Sequence, residues 1–119
     1  MRRFGLVSAI LVSTTLGLAI GAEKGVPAKG GPVYATYCAA CHGNAGKGDG
    51  PGAAALNPKP RDLTDRAYMV KLNDQYLSDI VSKGGAAMGK SSLMPPWGTA
   101  LKEDDIRNVI AYVRSLSKR

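Results

Sequence analysis

Both cysteines of this 119-residue chain and its only histidine fall inside one pentapeptide, Cys38-Ala39-Ala40-Cys41-His42. No other feature limits the fold as much. Two cysteines cannot build a disulfide framework, and one histidine with two cysteines falls short of the four ligands of a structural zinc site. A thioredoxin-like redox pair needs a βαβ surround, and no stretch alternates apolar and polar residues with period two. A plain disulfide makes no use of His42. Cys-x-x-Cys-His is the spacing of covalent haem attachment, and geometry explains it. On one helical turn Cys38 and Cys41 project from the same side, where their thiols can add to the two vinyl groups of a porphyrin. His42 then sits beneath the iron as an axial ligand.

Composition agrees with a domain built around a cofactor. Five Tyr, one Phe and one Trp are few aromatics for a self-sufficient core of this size. Chains this small bury a modest core and gain from a bound metal or cofactor.

The N-terminus has the plan of a secretory signal peptide. Met1-Arg2-Arg3 is basic, Phe4 to Ile20 carries no charge, and Ala19-Ile20-Gly21 offers small residues for cleavage after Gly21. Cleavage after Ala22 is the close alternative, and an uncleaved anchor is the other reading, since the 17 uncharged residues sit at the short end of a membrane span. No cysteine lies just beyond the site, which argues against a lipid anchor. Loss of residues 1–21 leaves 98 residues, and without Arg2 and Arg3 the net charge falls from +7 to +5. The expected location is the periplasm.

The remainder reads as one all-α domain over residues 32–119, with three main helices, a shorter one and long loops, preceded by a flexible leader over residues 22–31. Pro32 can open a helix that runs through the pentapeptide to Gly43. Five Gly and three Pro between Gly43 and Pro60 exclude a long helix or central strand there. A loop of that length in a small domain is functional or wraps something. A short turn is expected near Thr64 to Val70. Asn73 can cap a helix in which Tyr76, Leu77, Ile80 and Val81 recur at helical spacing, with Gly84-Gly85 as its stop. Gly89 to Gly98 is irregular again. The last helix has Glu103, Asp104 and Asp105 at its start, Arg114, Lys118 and Arg119 at its end, and an apolar stripe of Ile106, Val109, Ile110, Val113 and Leu116.

A second histidine ligand is excluded by count, so the sixth iron ligand must come from elsewhere. Met94 stands in Ser92-Leu93-Met94-Pro95-Pro96-Trp97-Gly98, where Pro95 forces residue 94 extended and Pro96 stiffens the loop beyond it. A stiff loop suits a weak thioether donor. Met88, in a flexible Gly-Ala segment, is the alternative, and Met69 is expected in the core. Trp97 is read as packing in the pocket, with an indole N–H bond to a haem propionate as its sharper role. A backbone carbonyl near Pro58 and Pro60 is expected to orient the His42 ring.

With these residues in place, the chain resembles the class I c-type cytochromes over roughly residues 30–117. Gly30-x3-Tyr34-x3-Cys38 is similar to the family's N-terminal helix, and Val109-Ile110-Ala111-Tyr112-Val113 to the partner stretch of its last helix. Cys38, Cys41 and His42 match the haem site, and Met94 the Met-Pro loop ligand. Gly46-x-Gly48-Asp49-Gly50-Pro51, with Pro58-Lys59-Pro60-Arg61-Asp62-Leu63 after it, looks like a bacterial monohaem subgroup. One departure is Lys102, where the family often has a Ser or Thr cap. The resemblance implies a few helices around one haem c and electron transfer by an exposed haem edge, not catalysis. The expected function is a soluble exported single-electron carrier of the respiratory type, monomeric, with no nucleic-acid partner and no membrane span once the signal is removed. The alternative is an electron-accepting subunit of a redox enzyme such as a dehydrogenase. A third reading, gas sensing or peroxidase work, needs Met94 to leave the iron readily. Lys47, Lys59, Arg61, Lys83 and Lys90 are expected to frame the haem edge, either as a basic rim steering acidic redox partners or as ordinary solvated surface.

Overall fold

The computed structural model describes Gly17 and residues 23–119. The expected signal segment, residues 1–21 or 1–22, lies outside the described residues apart from Gly17. Among the described residues five α-helices follow in chain order: α1 Pro27–Tyr37, α2 Ala39–His42, α3 Arg66–Met69, α4 Asp74–Lys83 and α5 Glu103–Leu116. Short 3-10 turns sit at Ala53–Ala55, Ala86–Met88 and Trp97–Thr99. Among the described residues there is no strand, as expected, and no helix is long and apolar enough to cross a membrane.

The fold is organised by the crossing of α1 and α5. Gly30 is buried at that crossing, where a Cβ would lie 1.9 Å from the Asn108 carbonyl oxygen. The absent side chain lets the two backbones touch. One turn later the ring of Tyr34 packs on Tyr112 with centroids 5.1 Å apart. Val109, Ile110, Ile106 and Leu116 bury the apolar stripe of α5 against Tyr34, Leu63, Met69 and Leu77. Met69 is fully buried in this core, as expected.

The expected leader over residues 22–31 is corrected here. The first helix starts at Pro27, not Pro32, with proline at a position that needs no N–H. Pro32 lies inside the helix on its exposed side. Gly30 meets α5 as the family resemblance implies, and Gly25, read as flexible, also abuts the α5 backbone, with a would-be Cβ 2.0 Å from the Arg107 carbonyl oxygen. The Val26 N–H also donates to the Asn108 side-chain oxygen at 2.8 Å. Docking on α5 orders a stretch whose composition alone suggests mobility.

The other helices obey local chemistry. Asn73 caps α4 by accepting the Tyr76 N–H at 2.8 Å, and Gly84 ends it with φ +83°. Lys102 has no acceptor to offer α5, but its own N–H donates to the Asp105 carboxylate at 3.3 Å, which is half of a capping box. Arg114 clamps the far side of α5. Its guanidinium donates to the carbonyls of Met69 and Leu72 at 2.8 and 2.5 Å and to the Asp74 carboxylate. One side chain thus fixes the end of α3 and the start of α4 against α5.

Candidate functional site

The expected helix through the pentapeptide is broken at its first cysteine. Cys38 has φ −117° and ψ −36°, and α2 continues from Ala39 to His42. Gly43 then turns with φ +83°, a conformation that disfavours any side chain. The carbonyls at the end of this helix need partners, and the glycine-rich loop supplies them in ladder fashion. The N–H groups of Gly48, Gly50 and Gly52 donate to the carbonyls of His42, Cys41 and Ala40 at 2.8, 3.1 and 2.8 Å. A Cβ on Gly50 would meet the Ala40 carbonyl oxygen at 2.4 Å, and one on Gly48 the Pro60 carbonyl oxygen at 2.5 Å. The loop therefore wraps the pentapeptide, as its length predicts. Glycine count alone does not reveal the ladder; the every-second-residue spacing of these glycines is its signal.

Behind the pentapeptide lies a cavity of about 740 Å³. Cys38, Cys41, His42, Met94 and Trp97 all line it, so every site residue expected from sequence is brought to one place. Leu77, Ile80, Val109, Ile110 and Val113 give it apolar walls. Both cysteine side chains are half-buried. Burial, then the proximity of Cys41, pushes the Cys38 thiol up to about 11.

His42 is half-buried, and burial lowers its pKa below the ordinary imidazole value. The ring therefore stays neutral, the form that binds metal. The backbone of Arg61 acts in the opposite sense, favouring the protonated ring. Nδ1 is buried with no acceptor in hydrogen-bond geometry. The main-chain group that faces His42 is thus Arg61, next to Pro60 in the loop expected to cover this side.

Of the methionines at 69, 88 and 94, Met94 alone lines the cavity. Its loop is tied down on both sides of the residue. The Met94 N–H donates to the Ser91 carbonyl at 3.2 Å, and its carbonyl accepts the Gly85 N–H at 3.0 Å. A Cβ on Gly85 would fall 2.0 Å from the Ser91 carbonyl oxygen. Gly84-Gly85 therefore does more than stop α4: it admits the Met94 loop. Trp97 is half-buried and meets Tyr37 edge-on, with centroids 5.0 Å apart. Of the five basic residues expected at the rim, Lys59, Arg61 and Lys90 line the cavity, whereas Lys47 and Lys83 do not. Lys83 is paired with Asp79 at 3.0 Å.

Two thiols, a neutral imidazole with an orphaned nitrogen, a thioether and apolar walls around a ligand-sized space form a donor set that fits a covalently held haem. Comparisons with known proteins agree. The family model for cytochrome c matches residues 27–117. The FixP subunit of a cbb3-type cytochrome c oxidase from Bradyrhizobium diazoefficiens is 30% identical over 75% of this chain and 27% of its own length. The CcoP subunit of the corresponding oxidase from Cereibacter sphaeroides is 30% identical over 79% of this chain and 29% of its own length. The chain thus spans little more than a quarter of these relatives. Among solved structures, the c-type cytochrome KustC0563 superposes with a TM-score of 0.59 at 22% identity, covering 73% of this chain and 95% of that one, a likeness of fold. A chain of a Kuenenia stuttgartiensis reducing HAO-like protein complex superposes with a TM-score of 0.62 at 29% identity, covering 79% of this chain and 44% of that one. The chain belongs to the cytochrome c family, and its cofactor is covalently bound haem c.

Proposed function

We propose that this protein is an exported monohaem carrier of single electrons, with His42 and Met94 as the axial ligands of the iron and Cys38 and Cys41 as the thioether anchors. One observation carries the ligand assignment: Met94 is the one described methionine on the wall of the cavity that His42 lines. When bound, the haem supplies reversible one-electron chemistry. The protein binds it, keeps water from it and tunes its potential. His/Met ligation and an apolar pocket both favour a high potential. With His42 and Met94 holding the iron, the site would carry electrons and do no catalysis of its own. Trp97, on the cavity wall, would pack against the bound haem and could offer its indole N–H to a propionate. The reading includes cleavage after Gly21, or Ala22, and a monomeric periplasmic product.

A second reading has a specific observation behind it. Two relatives are subunits of cbb3-type oxidases, and this chain matches only a fraction of their length. On that reading the domain serves as the electron-accepting module of a larger redox assembly. A stable subunit that co-purifies with the protein from its native membrane or periplasmic fraction supports it.

The ligand assignment is tested by absorption spectra of the haem-loaded protein. A low-spin spectrum with a weak far-red sulfur-to-iron band is expected for the wild type. Met94→Ala should lose that band, lower the potential and bind carbon monoxide when reduced, whereas Met88→Ala should keep the band. The opposite pattern in the two variants overturns the assignment.

A further inference from the structure

We propose that Ser91 is the positioning residue for the methionine ligand: its hydroxyl closes the turn from Ser91 to Met94 and so sets how firmly the thioether is held. This rests on the His42/Met94 reading above.

Among the described residues Ser91 alone is a polar residue buried in the interior, at 6% exposure, and it lines the cavity. Taking a hydroxyl out of water is costly unless it is bonded. The bond that Ser91 makes is local. Its Oγ accepts the Leu93 N–H at 3.2 Å, while its carbonyl accepts the Met94 N–H at 3.2 Å. Ser91 to Met94 is thus one four-residue turn, closed twice. Serine stands at its first position, where a side-chain oxygen can take the N–H two residues on.

The turn sets two neighbours apart. Leu93 is 55% exposed, whereas Met94 is half-buried on the cavity wall. Without the hydroxyl, the Leu93 N–H loses its partner and the peptide before Leu93 can rotate. Met94 follows in the chain and moves with it.

The rest of the loop does not duplicate this bond. Pro95 and Pro96 restrict the backbone from Met94 onward, but neither has an N–H to fasten with. Gly85 holds the loop on both sides of the turn. Its carbonyl accepts the Lys90 N–H at 2.8 Å, and its N–H donates to the Met94 carbonyl at 3.0 Å. Those fastenings are main-chain to main-chain, so they do not depend on which residue stands at 91. The hydroxyl is the part that only the sequence supplies. A group that orients a metal ligand typically changes metal affinity by about 10- to 100-fold when it is lost.

Imidazole is the probe, because it binds the oxidised iron only where the thioether has left. For haem-loaded Ser91→Ala the imidazole dissociation constant should fall about tenfold, equivalent to about 1.4 kcal/mol. Ser91→Thr keeps the hydroxyl and should bind imidazole as the wild type does. Asn73→Ala removes the cap that holds the Tyr76 N–H, away from the loop. It should lose unfolding free energy and keep the wild-type imidazole constant. Wild-type affinity in Ser91→Ala overturns the proposal. So does an equal gain in Asn73→Ala, which makes the effect one of general stability, or in Ser91→Thr, which removes the hydroxyl as its cause. A far-red band present in the wild type and lost in Met94→Ala assigns such a failure to Ser91 alone. Absence of that band from the wild type removes the His42/Met94 reading itself, and the proposal with it.

Discussion

Tyr34 reaches from α1 to the carbonyl of Gly43, to which its hydroxyl donates across 2.6 Å in the interior. Gly43 is the residue directly after His42, so the bond fixes the far end of the pentapeptide to the helix before it. Burial raises the pKa of this phenol, which keeps the donor protonated. Tyr34→Phe leaves the ring packed on Tyr112 and the Gly43 carbonyl with the Gly46 N–H, at 3.1 Å, as its remaining donor. A loss of about 0.5–1.5 kcal/mol in unfolding free energy is expected, measured by denaturant titration of the haem-loaded protein.

Two adjacent glycines of α1 make a sharper test of the helix crossing. Alanine in place of a helical glycine gains up to about 1 kcal/mol from backbone entropy. At Gly31 the new methyl would meet only ordinary contact, 3.4 Å from the Tyr112 ring, so Gly31→Ala should be neutral or slightly stabilising. At Gly30 it would strike the Asn108 carbonyl, which is backbone and cannot rotate aside. Gly30→Ala should therefore lose stability by about 1–3 kcal/mol despite the better propensity. Thermal melts of the two variants that coincide would show that α1 and α5 do not meet as described.

This contrast also marks what could be read from sequence. Helices α4 and α5 were legible because their signals are local: the Asn73 cap, Gly84, the acids at residues 103–105 and a stripe at helical period. The pentapeptide, Met94 and Trp97 were legible because their chemistry is specific, and the structure brings them to one cavity. The start of α1 was not. Gly25 looks like flexible leader until α5, far along the chain, packs on it, and Gly30 is placed at that contact only through the family resemblance, not by its own composition. The role of Gly85 was likewise hidden, since it depends on a close backbone approach rather than on intrinsic preference, while Gly48, Gly50 and Gly52 left only their alternate spacing as a signal. Arg61 could be placed near His42 only once the loop was folded over it.

The turn after Arg61 gives a pH test. Asp62 accepts both the Thr64 hydroxyl, at 2.6 Å, and the Thr64 N–H, at 2.8 Å. These bonds, with attraction from Lys47 behind them, lower its pKa below the usual aspartate value. A depressed carboxyl stabilises the folded turn fully above its unfolded pKa of about 3.9, and that contribution disappears as pH falls through the folded value. In an NMR titration the Thr64 amide should move with a midpoint below that of an ordinary aspartate. Asp62→Asn keeps an acceptor oxygen but removes the charge, so the shift should vanish. A Thr64 amide that titrates identically in both proteins would refute the coupling.

Arg114 supports the largest effect expected away from the cofactor. Its side chain is 24% exposed, and it serves two main-chain carbonyls as well as Asp74, whose own side chain is 78% exposed. If the ion pair mattered most, Asp74→Ala and Arg114→Met would cost alike. An exposed carboxylate is worth little, about 1 kcal/mol at most. The carbonyls of Met69 and Leu72 are different: without the guanidinium Leu72 loses its donor at the junction of α3, α4 and α5, and Met69 keeps only the Leu72 N–H at 3.2 Å. Arg114→Met should therefore cost about 2–3 kcal/mol. Arg114→Lys should recover little of it, because an ammonium cannot span acceptors that a planar fork reaches together. Equal destabilisation of Asp74→Ala and Arg114→Met in denaturant titrations would mean that the charge, not the carbonyl clamp, holds these helices.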